Sequence, residues 1–295
     1  MLLLLRHYPL ILTKDLTVSD LLINDHTASA LERFMSSPSH ALLLMGQKGD
    51  GLFYLAQHIQ KLLQHKSHEA RVFYELCPQE KPSITIEQVR ELRSTFKHKM
   101  THTNESIHTI IIVNSIENMQ HEAQNALLKH LEEPPTGVLF IILCHDQSQM
   151  LQTILSRCVV VNVLPVTIQQ AQEHFGLSIS ELAKPYAISS GAPSMLVHLI
   201  NSSDHPILKD IEQAKIILSS PIYKRLCSVD AQFKTLEQAK NIIIGLEKVC
   251  RAGLKSGSKS QSWIHNNSVI QEAQKKLSAH VQAKLVIDEL FITLK

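Results

Sequence analysis

The sequence predicts a doubly wound α/β domain with a parallel sheet, followed by a region built of helices. Three observations carry this. Apolar, β-branched-rich runs at Thr109–Val113, Val138–Leu143 and Val159–Val163 have the length and composition of strands covered on both faces. Between the first two, Ala123, Leu127, Leu128 and Leu131 recur at helical spacing, with Gln124, Lys129 and Glu132 expected on the opposite face. Strand and helix alternate across short connections, which is the order of a parallel sheet, whereas from Val166 onward the segments read as helices.

Taken in order, residues 1–20 show no clear period and receive no role. Met1–Leu5 is apolar but is followed at once by Arg6 and His7, unlike a signal peptide, whose positive segment precedes a longer apolar core. Leu31–Met35 ends a short helix that breaks at Ser36-Ser37-Pro38, and Ala41–Met45 is a strand running into Gly46-Gln47-Lys48-Gly49-Asp50-Gly51. Val72–Leu76 is a further strand. Thr85 and Gln88 have the spacing of a capping box, opening a helix that buries Ile86, Val89, Leu92 and Phe96 and turns Arg90, Arg93, Lys97 and Lys99 outward. The Leu131 helix stops because Pro134 disfavours the α conformation at Glu133, and Pro135 extends the break. Ser156-Arg157-Cys158 stands immediately before the third strand.

Thr167–Phe175, Ile179–Tyr186 and Ser194–Ile200 read as short helices, separated at Gly176 and at Ser189-Ser190-Gly191. His205-Pro206 marks a linker. Ile207–Leu218, Tyr223–Phe233, Leu236–Ala252 and Val269–Leu294 follow as helices, the last with an apolar face of Ile270, Ala273, Leu277, Val281, Leu285 and Leu290. Gly253–Ser268 is expected to be a polar loop.

Composition narrows the classes. A chain of 295 residues is long enough for two or three domains, and a formal charge of +2 argues against a strongly cationic nucleic-acid binder, so any DNA contact is local or shared with partners. No run approaches the roughly 18 apolar residues of a membrane span, and the five cysteines form no CxxC pair, which suits reduced thiols and a cytoplasmic location. The seventeen histidines include His65, His68, His98, His102 and His108, but no carboxylate or cysteine completes a ligand set. They are expected to be surface residues, and no metal or cofactor is expected. No Ser-His-Asp or Cys-His arrangement is legible, and Cys158 reads as a small apolar residue opening a strand.

The loop after Met45 has the outline of a phosphate loop without its chemistry. Gly46, Gly49 and Gly51 are present, but Leu52 and Phe53 occupy the places of the lysine that reaches the terminal phosphates and the hydroxyl that binds Mg²⁺. Lys48 lies four places too early. Only weak anion binding by backbone amides would remain. After Thr109–Val113, where a magnesium-binding Asp and an acid that positions water belong, the chain has Asn114 and Ser115. Glu117, three residues on, is expected to be a solvated loop residue.

Asn125-Ala126-Leu127-Leu128-Lys129, then Leu131-Glu132-Glu133-Pro134-Pro135, then Ile154-Leu155-Ser156-Arg157-Cys158 resemble the bacterial clamp-loader branch of the AAA+ family, over roughly residues 20–200. The last third matches only in length and helical character. The resemblance implies an AAA+ α/β domain over 1–165, a small helical lid over 166–204 and an all-α oligomerising collar over 205–295. It also implies that Arg157, within its Ser156/Cys158 motif, acts in trans as an arginine finger on a neighbour's ATP. Gly191-Ala192-Pro193-Ser194 places Ser194 where an ATPase of the family has an arginine touching the γ-phosphate, so the chain is more similar to the delta-prime than to the tau/gamma type. The Ser-Arg-Cys motif separates it from the delta type. Family members often carry four zinc-binding cysteines before Thr85, but here Leu52–Thr85 holds only Cys77, which excludes that module.

The implied function is that of a non-hydrolysing clamp-loader subunit in the DNA polymerase III assembly. Its partners would be the tau/gamma ATPase and the delta subunit, and indirectly the sliding clamp and primer–template DNA, in a hetero-oligomer. Two rival readings are an active ATPase with an atypical loop, which ATP binding would reveal, and an AAA+ adaptor without a finger role, for which Arg157 would not affect a partner's turnover.

Overall fold

The computed structural model describes residues 21–66, 72–78, 83–97, 107–202, 204–233, 235–255, 260–279 and 281–295. The expectations for residues 1–20 and for His68, His98, Lys99 and His102 lie outside them, as do those for the side chains of His65, Arg93, Phe96 and Lys97. By compactness the chain divides into a unit ending at Leu196 and a unit beginning at Val197.

The first unit is built on five parallel strands: β1 (Ala41–Met45), β2 (Val72–Leu76), β3 (Thr109–Val113), β4 (Val138–Cys144) and β5 (Val159–Asn162). Their order across the sheet is β2-β3-β4-β1-β5. Alternation of side chains divides each inner strand between two cores. Ala41, Leu43, Ile111, Val113, Phe140 and Ile142 face one side, packed under α3 (Ile86–Lys97), α4 (His121–Glu132) and the short α5 (Gln152–Leu155). Leu42, Leu44, Ile110, Ile112, Ile141 and Leu143 face the other, under α1 (Asp25–Ser36) and α2 (Leu52–Lys66). β3 and β4 are buried along their whole length, which is why they read as unbroken apolar runs.

Three expectations within this unit are corrected. β5 is not a buried strand: among the described residues it is an edge paired only with β1, and Val159 and Val160 are 42% and 38% exposed. Gln124 is not on the outer face of α4 but is buried, its amide donating to Met119 O (3.2 Å) and Gln149 O (2.9 Å) and accepting from Leu151 N–H (2.9 Å). A glutamine can enter a core when its donors and acceptor are all engaged. His58 and His130 are likewise buried rather than on the surface, and His130 stacks on Phe140. Of the capping box at α3, the Gln88 half is present, its Oε1 accepting from Thr85 N–H at 2.9 Å.

After the sheet come α6 (Ile168–Phe175) and α7 (Ile179–Ser189), each opened by a complete capping box, from Thr167/Gln170 and Ser178/Glu181. The turn that follows fixes the start of α8 (Pro193–Asn201) against the segment after β5, Val166 N–H donating to Gly191 O at 2.9 Å. Gly191 there has φ +81°, and an added Cβ would lie 2.6 Å from Val166 O, so only glycine fits.

The second unit contains α9 (Pro206–Ser219), α10 (Ile222–Gln232), α11 (Leu236–Lys255), α12 (Ser260–Ser278) and α13 (Ala283–Thr293). The single helix expected over Val269–Leu294 is two, and most of the expected polar loop at Gly253–Ser268 is helical. Trp263 is the reason for the second difference: it packs face-on against Gly253, where any Cβ would collide with the indole, so the ends of α11 and α12 are joined by an aromatic contact. The break near Val281 turns Val281 and Leu285 outward, while Ile270, Ala273, Leu277 and Leu290 stay in the core. Arg225 is buried here and is satisfied by carbonyls, Nε to Ser220 O (2.8 Å), Nη1 to Leu294 O (2.8 Å) and Nη2 to Leu218 O (3.2 Å).

Candidate functional site

At the carboxyl ends of β1, β3 and β4, where a sheet of this kind takes its ligand, the structure brings together Gly46, Gly49, Gly51, Asn114, Glu117 and His145. The loop after β1 keeps the backbone of a phosphate loop. Gly49 and Gly51 have φ +99° and +78°, a conformation that side-chained residues adopt at a cost. The residues around it, however, are turned onto one another.

Asp50 is 5% exposed, and its carboxylate accepts the Gln47 N–H at 2.5 Å, occupying a backbone donor of the kind a phosphate would use. Burial raises its pKa, while the Gln47 N–H and nearby His145 pull it down. His145 Nδ1 lies 3.0 Å from Gly46 O, and His145 N–H donates to Glu117 Oε2 at 3.3 Å. Glu117 is therefore a half-buried tether at the end of β4, not a solvated loop residue. Leu52 is 1% exposed and belongs to the α1/α2 core, with Phe53 packed beside it. Asn114 donates to Glu75 Oε1 (3.2 Å), and Ser115 sits at φ +63° with its hydroxyl on Asn114 Oδ1 (3.4 Å).

The first turn of α8 closes the loop from above. Met195 N–H donates to Gly49 O at 3.0 Å, and a Cβ on Gly51 would lie 2.6 Å from Ser194 Cβ. Ser194 thus stands against the loop itself. Lys48 is exposed at the outer side.

Ser156, Arg157 and Cys158 are not part of this cluster. Leu42 pairs with Val159 and Met45 with Asn162, so the turn before β5 lies at the amino end of the sheet and Gly46 at the carboxyl end. At about 3.3 Å per residue the two are separated by on the order of 15–20 Å. Arg157 is held by an ion pair with Glu132 Oε1 (2.8 Å) and by bonds from Nη1 to Thr153 O (2.9 Å) and Ser156 Oγ (3.2 Å); its side chain is 34% exposed. The proline-terminated end of α4 and the Ser-Arg-Cys turn, far apart in sequence, therefore meet through Glu132 and Arg157. The Cys158 thiol is pushed up to about 12 by burial, the opposite of a nucleophile's requirement. Sequence reasoning missed Asp50, His145 and Glu132; for the last, the only signal was an acid at a helix end.

Among the described residues no group of three or more His, Cys, Asp or Glu could hold a metal ion, and no helix is long and apolar enough to cross a membrane.

The parallel sheet with a phosphate-loop turn after β1, covered by helices on both faces, has the α/β fold of AAA+ modules. In fold it is similar to a DNA polymerase III gamma subunit-related protein from Thermotoga maritima, at 16% identity, with a TM-score of 0.50 over 91% of this chain and 98% of that one. Residues 72–167 match the family described as DNA polymerase III, delta subunit. Stretches of 106 and 138 residues are each 32% identical to DNA polymerase III subunit delta′ of Haemophilus influenzae and of Yersinia pestis. These cover 36% and 40% of this chain and 31% and 40% of those proteins, so the matched part spans less than half of either relative's length. A longer, weaker match, 24% over 243 residues, is to the gamma subunit of Buchnera aphidicola subsp. Schizaphis graminum, covering 73% of this chain and 66% of that one. Over residues 72–167 the chain is thus similar to delta-type subunits of DNA polymerase III, and its 32%-identical stretches are to delta′ subunits.

Proposed function

We propose that this chain is a cytoplasmic, non-hydrolysing subunit of the replicative clamp loader, and that Arg157 acts in trans on ATP bound by a neighbouring tau/gamma-type ATPase. In this reading residues 166–204 form a lid and 205–295 a collar that assembles with tau/gamma and delta subunits, and the assembly loads the sliding clamp onto primed DNA. The observation that carries it is the separation within the sheet. Arg157 stands at the end opposite the chain's own loop, so a phosphate it reaches belongs to another subunit. Support comes from the loop, where the Asp50 carboxylate takes a backbone donor that a phosphate would use, and Leu52, Phe53 and Ser194 stand in the places of the phosphate-binding lysine, the magnesium-binding hydroxyl and the arginine. A planar, permanently charged guanidinium suits the charge that develops on a transferring phosphoryl group.

The test is clamp- and DNA-stimulated ATP hydrolysis by the reconstituted loader, comparing wild type with Arg157→Ala, with the isolated chain as blank. An arginine finger is worth roughly 10³-fold or more at the site it serves; hydrolysis at other sites reduces this to a partial loss overall. Expected are a silent isolated chain and a clear drop for the variant. Unchanged turnover would remove the finger role and leave an adaptor. Hydrolysis by the isolated chain would overturn the reading of the loop.

A further inference from the structure

Glu132 ends α4, and nothing in the packing of α4 requires an acid there: it is exposed, outside the core, with 48% of its side chain accessible. An ion pair between groups this exposed contributes little to folding. Its effect on Arg157 is more specific. The guanidinium carries five N–H donors in one plane. Two on Nη1 are engaged by Thr153 O and Ser156 Oγ, and one on Nη2 by Glu132 Oε1. Among the described residues no bond is made by Nε–H, and Nη2 has one donor beyond its contact with Glu132. Neighbouring Nε and Nη2 donors are the pair with which arginine grips two oxygens of one anion.

We propose that Glu132 is a positioning residue for Arg157. Its carboxylate holds the guanidinium beside the bonds made by Thr153 and Ser156, in a side chain that stays partly exposed with donors left open. The ligand they suit is an anion with two accessible oxygens, the terminal phosphate of a nucleotide held by the neighbouring subunit. The inference rests on the trans-acting reading of Arg157 above and adds the residue that sets its aim. Without Glu132 a flexible arginine would have to be fixed at the moment of reaction, and loose placement of a group acting in a transition state lowers the rate.

The experiment uses the reconstituted loader with clamp and primed DNA, and compares Glu132→Ala, Glu132→Gln, Arg157→Ala and the double variant Glu132→Ala/Arg157→Ala. Thermal unfolding of each subunit verifies that it is folded. Expected is a loss of about 3- to 10-fold for Glu132→Ala in kcat of the served site, with KM nearly unchanged, since an interaction made in the transition state lowers kcat and kcat/KM together. Glu132→Gln retains an oxygen acceptor and should recover part of the loss. The double variant should turn over no more slowly than Arg157→Ala alone, because Glu132 acts only through the arginine. Wild-type turnover for Glu132→Ala, or losses that multiply in the double variant, would overturn the inference. So would faster turnover, which would make the carboxylate a competitor of the phosphate. If Arg157→Ala itself has no effect, the finger reading has failed; if it slows turnover while Glu132→Ala does not, only the positioning role has.

Discussion

The loop after β1 and the turn before β5 lie at opposite ends of adjacent strands and treat their polar groups in opposite ways. Around the loop, charge is turned inward: Asp50 takes the Gln47 amide, Glu117 takes that of His145, and His145 faces Gly46 O. Around the turn, Arg157 is held on one side and left open on the other. The loop has kept the conformation of a phosphate site while its own side chains satisfy it. The turn has kept donors that its own ion pair does not use up. Backbone shape and ligand chemistry are thus separable properties, and the second is decided by what already occupies the donors.

The largest test of this contrast is Leu52→Lys, which restores the residue type a phosphate loop needs. Leu52 is fully buried among α1/α2 core residues, so the lysine should lower stability by about 3–5 kcal/mol in urea unfolding. Leu52→Met, which keeps volume, should cost less than about 1.5 kcal/mol. A stable Leu52→Lys chain that gains ATP binding would mean the crevice is open after all.

Gly51→Ala should come next, at about 1–3 kcal/mol, from the positive φ and the collision with Ser194. A neutral outcome would mean that α8 does not press on the loop.

The smallest effect is a pH slope. The Asp50 carboxyl is raised by burial, so between its unfolded value of about 3.9 and its higher folded value the folded state binds more protons. Stability should be full below that window and fall as pH rises through it. Asp50→Asn, which keeps an oxygen acceptor for Gln47 N–H, should remove this part of the slope when unfolding is measured from pH 3.5 to 7. An unchanged profile would show that Asp50 is not penalised by burial.

The inner strands were legible because burial on both faces leaves a continuous apolar run, and Pro134 and Pro135 end α4 by backbone restriction alone. The loss of loop chemistry was legible too, because it is an identity at a fixed place. What replaced that chemistry was not. Asp50 and His145 are 95 residues apart and meet only because β1 and β4 are neighbours in register. Gln124 looked like a surface residue because its type is polar, and only the carbonyls of residues 119 and 149 make its burial tolerable. Val159 and Val160 looked interior because a β-branched run does not reveal whether a strand has one partner or two. The break near Val281 has neither glycine nor proline to announce it.

The edge position of β5 also bears on how the chain behaves in solution. An open strand edge with exposed valines is a template for self-association. Here it is only four residues long. Its carboxyl end is sealed by α1 and the residue before it: Thr27 donates to Asn162 O and accepts from Leu164 N–H, and Asn24 donates to Pro165 O. Among the described residues the exposed part of the edge is the short stretch of Val159 and Val160, which begins two residues after Arg157. A second molecule adding itself as a sixth strand would meet a charged side chain at one end of this stretch and a helix at the other.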